Sequence, residues 1–457
     1  LMKEFEKELA IVKGRVDGLE ARVGELEATQ FSTTTKLEGQ TSFVIGANGF
    51  GGDLIYTKAQ KDQIKAYFPE DGTSDIVVGS NDTKTVIPED GTYQLYAGRT
   101  FGATTFTYDT QLSLNTSFTG KDLLTTTLRS GNFGDTSFGG QGPTTLSTLE
   151  VASDSGDSSN AIFIDKIFYS TPIGADFTFI VGANVGQDDM MPMWPSIYPS
   201  GDGNTVLDVL TLNGAPGAYN KTQGPGAAIN YENNGWVVGL QYVCDIDTCT
   251  GSNPQTGGIA ADNSNGVGTV QIGYQDEQWG IAAVYSWLQN PALVPYATGY
   301  TDLSYAQTDT DMSLNAFALS AYWQPEDTGW IPAISAGWGI NTTNFNDSED
   351  VPDAFVSTSQ SWQVALHWDD AFIQGNTAGM AVGQGTFATA LKGGDTPYDG
   401  NYVWEWFYGF QVTDNVTVTP ALFYLSRPLG QLSVDGNQGK DGTFNQIGGL
   451  LRTTFTF

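Results

Sequence analysis

Thr105-Phe106-Thr107-Tyr108-Asp109-Thr110-Gln111-Leu112-Ser113-Leu114-Asn115-Thr116-Ser117-Phe118 alternates with a period of two. One face carries Phe106, Tyr108, Leu112, Leu114 and Phe118; the other carries Thr107, Asp109, Gln111, Ser113 and Asn115. That is the pattern of a strand with one apolar and one polar side. A soluble sandwich would turn its apolar side toward a dry core. Here the pattern repeats too often and too uniformly for that, and the polar side needs water. The reading that satisfies both faces is a barrel with apolar residues toward lipid and polar residues toward a wet lumen.

Working outward, comparable segments occur at 36–46, 104–118, 122–132, 161–170, 175–184, 225–233, 235–244, 265–275, 277–288, 312–324, 329–341, 360–369, 373–384, 402–412, 415–426 and 444–457. Connections after even-numbered segments are short and rich in turn residues, such as Thr119-Gly120-Lys121 and Asn234-Gly235. Those after odd-numbered segments run from a dozen residues or more. Strict alternation of short turns and long loops separates two rims. The expected fold is therefore all-β, a 16-stranded antiparallel transmembrane β-barrel over residues 31–457, with both termini on the short-turn, periplasmic side. Thr92 to Thr100 also alternates and is assigned to the first loop or to an extension of strand two; Thr57 to Phe68 reads as a short helix. The closing Leu451 to Phe457 ends in an aromatic, as outer-membrane barrels commonly do.

Residues 1–30 depart from this pattern. Met2, Phe5, Leu9, Val12, Val16, Leu19, Val23 and Leu26 recur at alternating spacings of three and four, a heptad seam. Glu8 with Lys13, Arg15 with Glu20 and Arg22 with Glu27 complement each other between parallel chains. Gly14, Gly18 and Gly24 each cost about 1 kcal/mol in a helix, so self-association is the expected source of stability. An α-helical coiled coil, an oligomerisation segment hanging into the periplasm, is the expectation. The alternative is an ordinary amphipathic helix packed on a domain, and the seam does not choose the oligomer number.

Composition agrees. The 457 residues include 56 Gly, 25 Phe, 20 Tyr and 11 Trp, only 15% are charged, and the mean hydropathy is -0.21. No run reaches the roughly 18 apolar residues of a membrane helix. With 19 basic and 51 acidic residues the net charge is -32, which argues against nucleic acid as a partner and favours cations near any opening. Cys244 and Cys249 are the only cysteines; a local disulfide is expected, with two free thiols as the alternative. These two and the single His367 are too few for a zinc site. Asp154-Ser155-Gly156-Asp157 lacks EF-hand spacing for calcium. No metal or cofactor is expected. Nor is an enzyme, because a Ser-His-Asp arrangement would rest on His367 alone, with no nucleophile motif beside it. The chain starts at Leu1 without a signal peptide, which we read as a mature or truncated form.

Phase along the strands places Asp109, Arg129, Asp176, His367, Glu405 and Arg452 on polar, lumen-side positions. A charge on the lipid face would cost about 2–4 kcal/mol at the midplane. Opposed acids and bases there would set a transverse field and an ion preference; near a rim they would only stay hydrated. The loop 185–224 opens with Gln187-Asp188-Asp189-Met190-Met191-Pro192-Met193-Trp194, too apolar for free solvation. It is the candidate for an inward-folded constriction carrying Asp188 and Asp189, or equally for a trimer contact or a cap on the outside.

Three stretches carry a family resemblance: Thr116-Ser117-Phe118-Thr119-Gly120-Lys121-Asp122-Leu123-Leu124 with Arg129 to Asn132; Ile164-Asp165-Lys166-Ile167-Phe168-Tyr169 with Ile180 to Asn184; and Phe410 to Pro420. They resemble the cyanobacterial outer-membrane porins that bear an S-layer-homology domain, within the carbohydrate-selective, or iron-uptake, porin family. The resemblance implies a homotrimer in outer-membrane lipid, passing small hydrophilic solutes, chiefly inorganic ions, with carbohydrate selectivity as the alternative. It also implies an upstream domain, absent here, that binds a peptidoglycan-linked polymer, so that a structural tether between outer membrane and cell wall is a further function of a different class.

Overall fold

The structure, a computed structural model, describes all residues except 1–33, 53–96, 99, 154–159, 199–204, 256, 262–263, 307–311, 327–328, 346–350 and 434–443. The heptad seam from Met2 to Leu26, the segment 57–68 and the acidic patch 154–157 lie outside the described residues.

Sixteen antiparallel strands close into one barrel: β1 (Thr35–Gly51), β2 (Thr105–Thr116), β3 (Leu123–Gly131), β4 (Phe163–Ile173), β5 (Phe177–Gly186), β6 (Gln223–Asn233), β7 (Trp236–Cys244), β8 (Gly266–Gln275), β9 (Trp279–Leu288), β10 (Met312–Trp323), β11 (Ala333–Phe345), β12 (Val356–Trp368), β13 (Thr377–Leu391), β14 (Tyr402–Thr413), β15 (Val416–Ser426) and β16 (Asn445–Thr456). Each strand pairs with its sequence neighbours, and β1 closes on β16 from Gln40 opposite Thr456 to Gly51 opposite Asn445. Closure satisfies every edge, which a barrel in lipid requires. The strands number and alternate as expected. On the long-loop side β11, β12 and β13 run several residues beyond their expected ends, so the connections 346–355 and 392–401 are shorter than expected. The described end of the 92–100 segment is not a strand: residues 97, 98, 100 and 101 are helical.

The outward phase is apolar. Phe106 is 69% exposed, and Phe43, Ile45, Ile164, Leu240, Ile272, Leu422 and Ile447 also face out. Aromatic clusters gather at the short-turn rim: Tyr274 packs between Trp236 and Trp279, and Phe372 between Trp330 and Tyr408. Such a girdle marks the lipid interface.

The resemblance-bearing stretch around Thr119 is a turn lock. Asp122 Oδ1 accepts from Phe118 N (3.0 Å), Thr119 N (2.7 Å) and the Ser117 and Thr119 hydroxyls, while Oδ2 accepts from Tyr169 (2.8 Å) on β4. Gly120 takes φ +77, a conformation that disfavours a side chain. Asp122→Ala should lower the temperature at which the barrel unfolds in detergent, read by heat-modified mobility on gels; an unchanged transition would remove the turn from the list of stabilising elements.

The inner wall is not uniformly polar. On β1–β4, Glu38, Gln40, Gln111, Ser113, Asn115, Thr125 and Thr127 form a hydrogen-bonded polar face, with Ser113 to Thr127 at 3.0 Å and Asn115 to Glu38 at 3.0 Å. On β12–β16 the inward residues include Ala365, Ala381, Val403, Phe407, Ala421, Phe423 and Leu425, all buried. The reason is that loops fold into the barrel and cover that side.

Candidate pore constriction

Loop L3 (187–222) starts at the end of β5 with the one-turn α1 (Gln187–Met190), and its described residues lie across the lumen on the inner wall. Its apolar residues explain why. Met190, Met193, Leu207, Leu210, Leu212 and Tyr219 are all 3% exposed or less, and burying each such side chain is worth about 1.5–3 kcal/mol.

Polar groups of the wall meet its backbone in turn. Gln187 Nε2 donates to Ala218 O (2.9 Å) and Thr269 (2.9 Å). Gln271 exchanges two bonds with the Met193 backbone. Ser335 Oγ accepts from Ile197 N (2.9 Å) and Tyr198 N (3.2 Å). Glu405 accepts from Tyr198 OH and Leu207 N (2.7 Å), and Arg452 Nη1 donates to Thr205 O (2.6 Å). On the return, Ser320 Oγ donates to Asn213 O (3.0 Å). With Asn230 Nδ2 of β6 donating to Met190 O (2.9 Å), L3 thereby touches the wall from β6 round to β16 and leaves the polar face of β1–β4 opposite it.

Close approach needs small wall residues. A Cβ on Gly337 would lie 1.8 Å from Asn213 O, and one on Gly339 would lie 2.7 Å from the Ala215 Cβ. Gly337→Val should therefore push L3 off the wall and change single-channel conductance in planar bilayers; wild-type conductance in a folded Gly337→Val barrel would show that L3 is not seated there.

In loop L2 (132–162), residues 133–151 also fold inward. Phe138 packs edge-on against Phe423, and Phe133, Leu146, Leu149 and Val151 complete an apolar core inside the barrel. L2 and L3 pair through Leu149 and Leu207: Glu150 N donates to Val206 O (3.0 Å) and Asp208 N to Thr148 O (3.0 Å).

Between these loops and the β2–β4 wall lies a ring of charges. Arg129 Nε donates to Asp109 Oδ1 at 2.7 Å and its Nη1 lies 4.0 Å from Asp165. Lys166 Nζ meets Asp189 at 2.7 Å, and Lys221 Nζ meets Asp208 at 2.8 Å. A register shift in β4, where Thr127 pairs with Lys166 and Leu128 with Ile164, leaves Asp165 unpaired as a bulge, so consecutive residues both reach this space. Burial alone would raise the Asp208 carboxyl; the Lys221 ammonium and the Tyr296 and Thr211 hydroxyls outweigh it and hold it below its ordinary range. Glu150 lies within electrostatic reach of Lys221, Arg452 and Arg129. Every cation here faces a carboxylate, and the carboxylates outnumber them.

The family model of carbohydrate-selective porins, the OprB family, matches residues 1–457. The chain belongs to the carbohydrate-selective porin family. The porin is similar to two uncharacterized cyanobacterial proteins. One, from Nostoc sp., is 27% identical over 488 residues, covering 100% of this chain and 71% of the relative; the other, from Synechocystis sp., is 26% identical and covers 100% and 75%. Among solved structures, Pseudomonas putida OprB at high pH aligns with a TM-score of 0.52 and 11% identity, covering 93% of this chain and 94% of that one. An anion-selective porin from Comamonas acidovorans aligns at 0.51 and 10%, covering 93% and 99%. At these identities the likeness concerns the fold. Family and barrel together make this an outer-membrane porin.

The candidate residues of the porin separate into three groups. Asp109, Arg129 and Asp189 meet at the charge ring, with Asp188 beside them at the start of L3, in electrostatic reach of Lys166. Glu405 and Arg452 have the inward phase, yet at 0% and 2% exposure they lie beneath L3 and hold it, so they do not line the opening. Asp176 and His367 lie at the short-turn rim: Asp176 accepts from Asn233 (3.0 Å) in the β4–β5 turn, and His367 Nε2 is 2.9 Å from Asp369. Each sits too close to a strand end to reach the ring. Sequence reading passed over Asp165, Lys166, Glu150, Asp208 and Lys221. The adjacent charges Asp165-Lys166 inside an apolar strand were the available signal of the bulge. Cys244 and Cys249 are disulfide-bonded across the short α2 (Ile246–Cys249).

Proposed function

We propose that the porin passes small neutral hydrophilic solutes of sugar size by passive diffusion. The observation that carries this is the pairing of charges at the ring: Asp109 with Arg129, Lys166 with Asp189, Lys221 with Asp208. Paired charges present donors and acceptors side by side, which hydroxyl groups can meet in succession without bringing a counter-charge. Family membership supports the same reading and ranks sugars above inorganic ions, the reverse of the order expected from sequence. Liposome swelling tests it. Vesicles with purified porin should swell in isotonic glucose; conductance without swelling in any sugar would replace this reading with the ion channel. The observation favouring that second reading is the excess of carboxylates at the ring, which suits cations.

Residues 1–30 we assign to parallel self-association on the periplasmic side, supported by the charge-complemented heptads. The homotrimer and the link to the cell wall through a further domain follow from the resemblance. Deleting residues 1–30 should loosen envelope attachment and leave conductance intact; unchanged attachment would remove this segment from the tether.

A further inference from the structure

On the long-loop side of the charge ring, L2 and the loop between β9 and β10 (L5, 289–311) enclose a cavity of about 410 Å³. It is within the range of small-molecule sites, about 300–1,000 Å³. Both walls are fixed. L2 rests on the intralumenal apolar core, and L5 pairs with β13, with Thr298 N donating to Thr386 O (2.8 Å) and Thr386 N to Tyr296 O (3.1 Å). A second anchor is Asp399, which accepts from the Thr298 and Thr301 hydroxyls at 2.6 and 2.7 Å.

The lining is two-sided. Val294, Pro295 and the ring of Tyr296 give an apolar surface, opposite Thr145 and Thr148 of L2. Asp302, in the helix α3 (Gly299–Ala306), is one of the lining residues, and its carboxylate has neither a hydrogen-bond nor an ion-pair partner among the described residues. The Thr148 hydroxyl, also on the lining, donates to Thr145 O at 2.8 Å, which leaves its oxygen to act as an acceptor. Burial lifts the Asp302 carboxyl to about 6, as expected of a charge enclosed without a counter-ion. The cavity adjoins the ring, because the hydroxyl of its lining residue Tyr296 donates to Asp208, the partner of Lys221.

We propose that this cavity is an outer-side docking site for a neutral pyranose, with Asp302 accepting from two adjacent sugar hydroxyls and the Thr148 hydroxyl accepting from a third. A pyranose has an apolar C–H face and a hydroxyl rim, which matches an apolar wall opposite a carboxylate and hydroxyls. A bare cation would be met by a single carboxylate with an apolar wall facing it, a poor oxygen cage. The site rests on the sugar reading above and adds to it a place where the solute pauses before the constriction.

The test is block of ion current by glucose in planar bilayers holding the full chain, together with glucose swelling of liposomes. Glucose should reduce wild-type current saturably. Loss of a charge-assisted hydrogen bond should raise the half-blocking concentration in Asp302→Ala by about ten- to a hundredfold, with sugar-free conductance unchanged. Thr148→Val, which removes the acceptor hydroxyl, should shift it in the same direction and serves if Asp302→Ala fails to assemble. Wild-type half-block in both variants, or swelling in glucose without saturable block, overturns the site and leaves the porin reading standing. Asp302-dependent block by calcium and none by glucose also overturns it. Absence of glucose swelling would take away the reading beneath it as well.

Discussion

Glu405→Ala is expected to release L3 from the barrel wall and to increase single-channel conductance. The Glu405 carboxylate is fully buried, accepts from Leu207 N at 2.7 Å and from the Tyr198 hydroxyl, and lies in electrostatic reach of the Arg452 guanidinium. These contacts fix the middle of L3 on β14 and β16, across the lumen from the polar face of β1–β4. Removing the acceptor leaves the buried Leu207 N–H and Tyr198 hydroxyl unsatisfied, at about 1–3 kcal/mol each. At about 1.4 kcal/mol per tenfold, that is enough to move a seated loop into an ensemble of detached positions. Glu405→Gln keeps one acceptor for Leu207 N and should fall between wild type and Ala. Bilayer recordings should show larger, noisier openings for Ala. Unchanged conductance in a folded Glu405→Ala barrel would mean that L3 is held by its apolar contacts alone.

Arg129→Ala should shift ion selectivity toward cations. Arg129 neutralises Asp109 at 2.7 Å and faces Asp165 at 4.0 Å, with Glu150 also within its field. Without the guanidinium, Asp109 and Asp165 confront the opening without their partner, while Lys166 and Lys221 stay committed to Asp189 and Asp208. One charge acting at about 4 Å is worth about 1 kcal/mol even in bulk-water dielectric, roughly a fivefold change in the cation-to-anion permeability ratio. Reversal potentials in a KCl gradient read this directly, and the shift should shrink in concentrated salt. A reversal potential equal to wild type would place Arg129 outside the conducting path.

The barrel was legible because lipid imposes a rule on every strand: the outward phase of Phe43, Phe106, Leu240 and Leu422 had to be apolar whatever lay within. Strand parity followed from turn length. The inside has no such rule. Val403, Phe423 and Leu425 take the inward phase because L2 and L3 cover them, and no local pattern announces what a loop fifty or more residues away will cover. Glu405 shows the difference. Its phase was readable, whereas its role depends on Tyr198 and Leu207, about two hundred residues away in sequence. The Met190 to Trp194 run did signal an inward loop, because apolar residues on a solvated loop have no other means of leaving water. Strict alternation failed at Asp165 and Lys166, where one bulged residue sends two adjacent charges to the same side. Asp176 and His367 show that phase gives a side of the sheet and not a depth along it.

The central claim is that solutes pass between the β2–β4 wall and L3, while the wall beneath L3 is sealed. Single cysteines test it, since the native pair is disulfide-bonded and no free thiol competes among the described residues. A water-soluble charged thiol reagent should reduce current through Lys221→Cys and Lys166→Cys pores and leave Ser335→Cys, beneath L3, unmodified. Rapid reaction at Ser335→Cys, or full labelling of Lys166→Cys and Lys221→Cys with no change in current, would contradict the account.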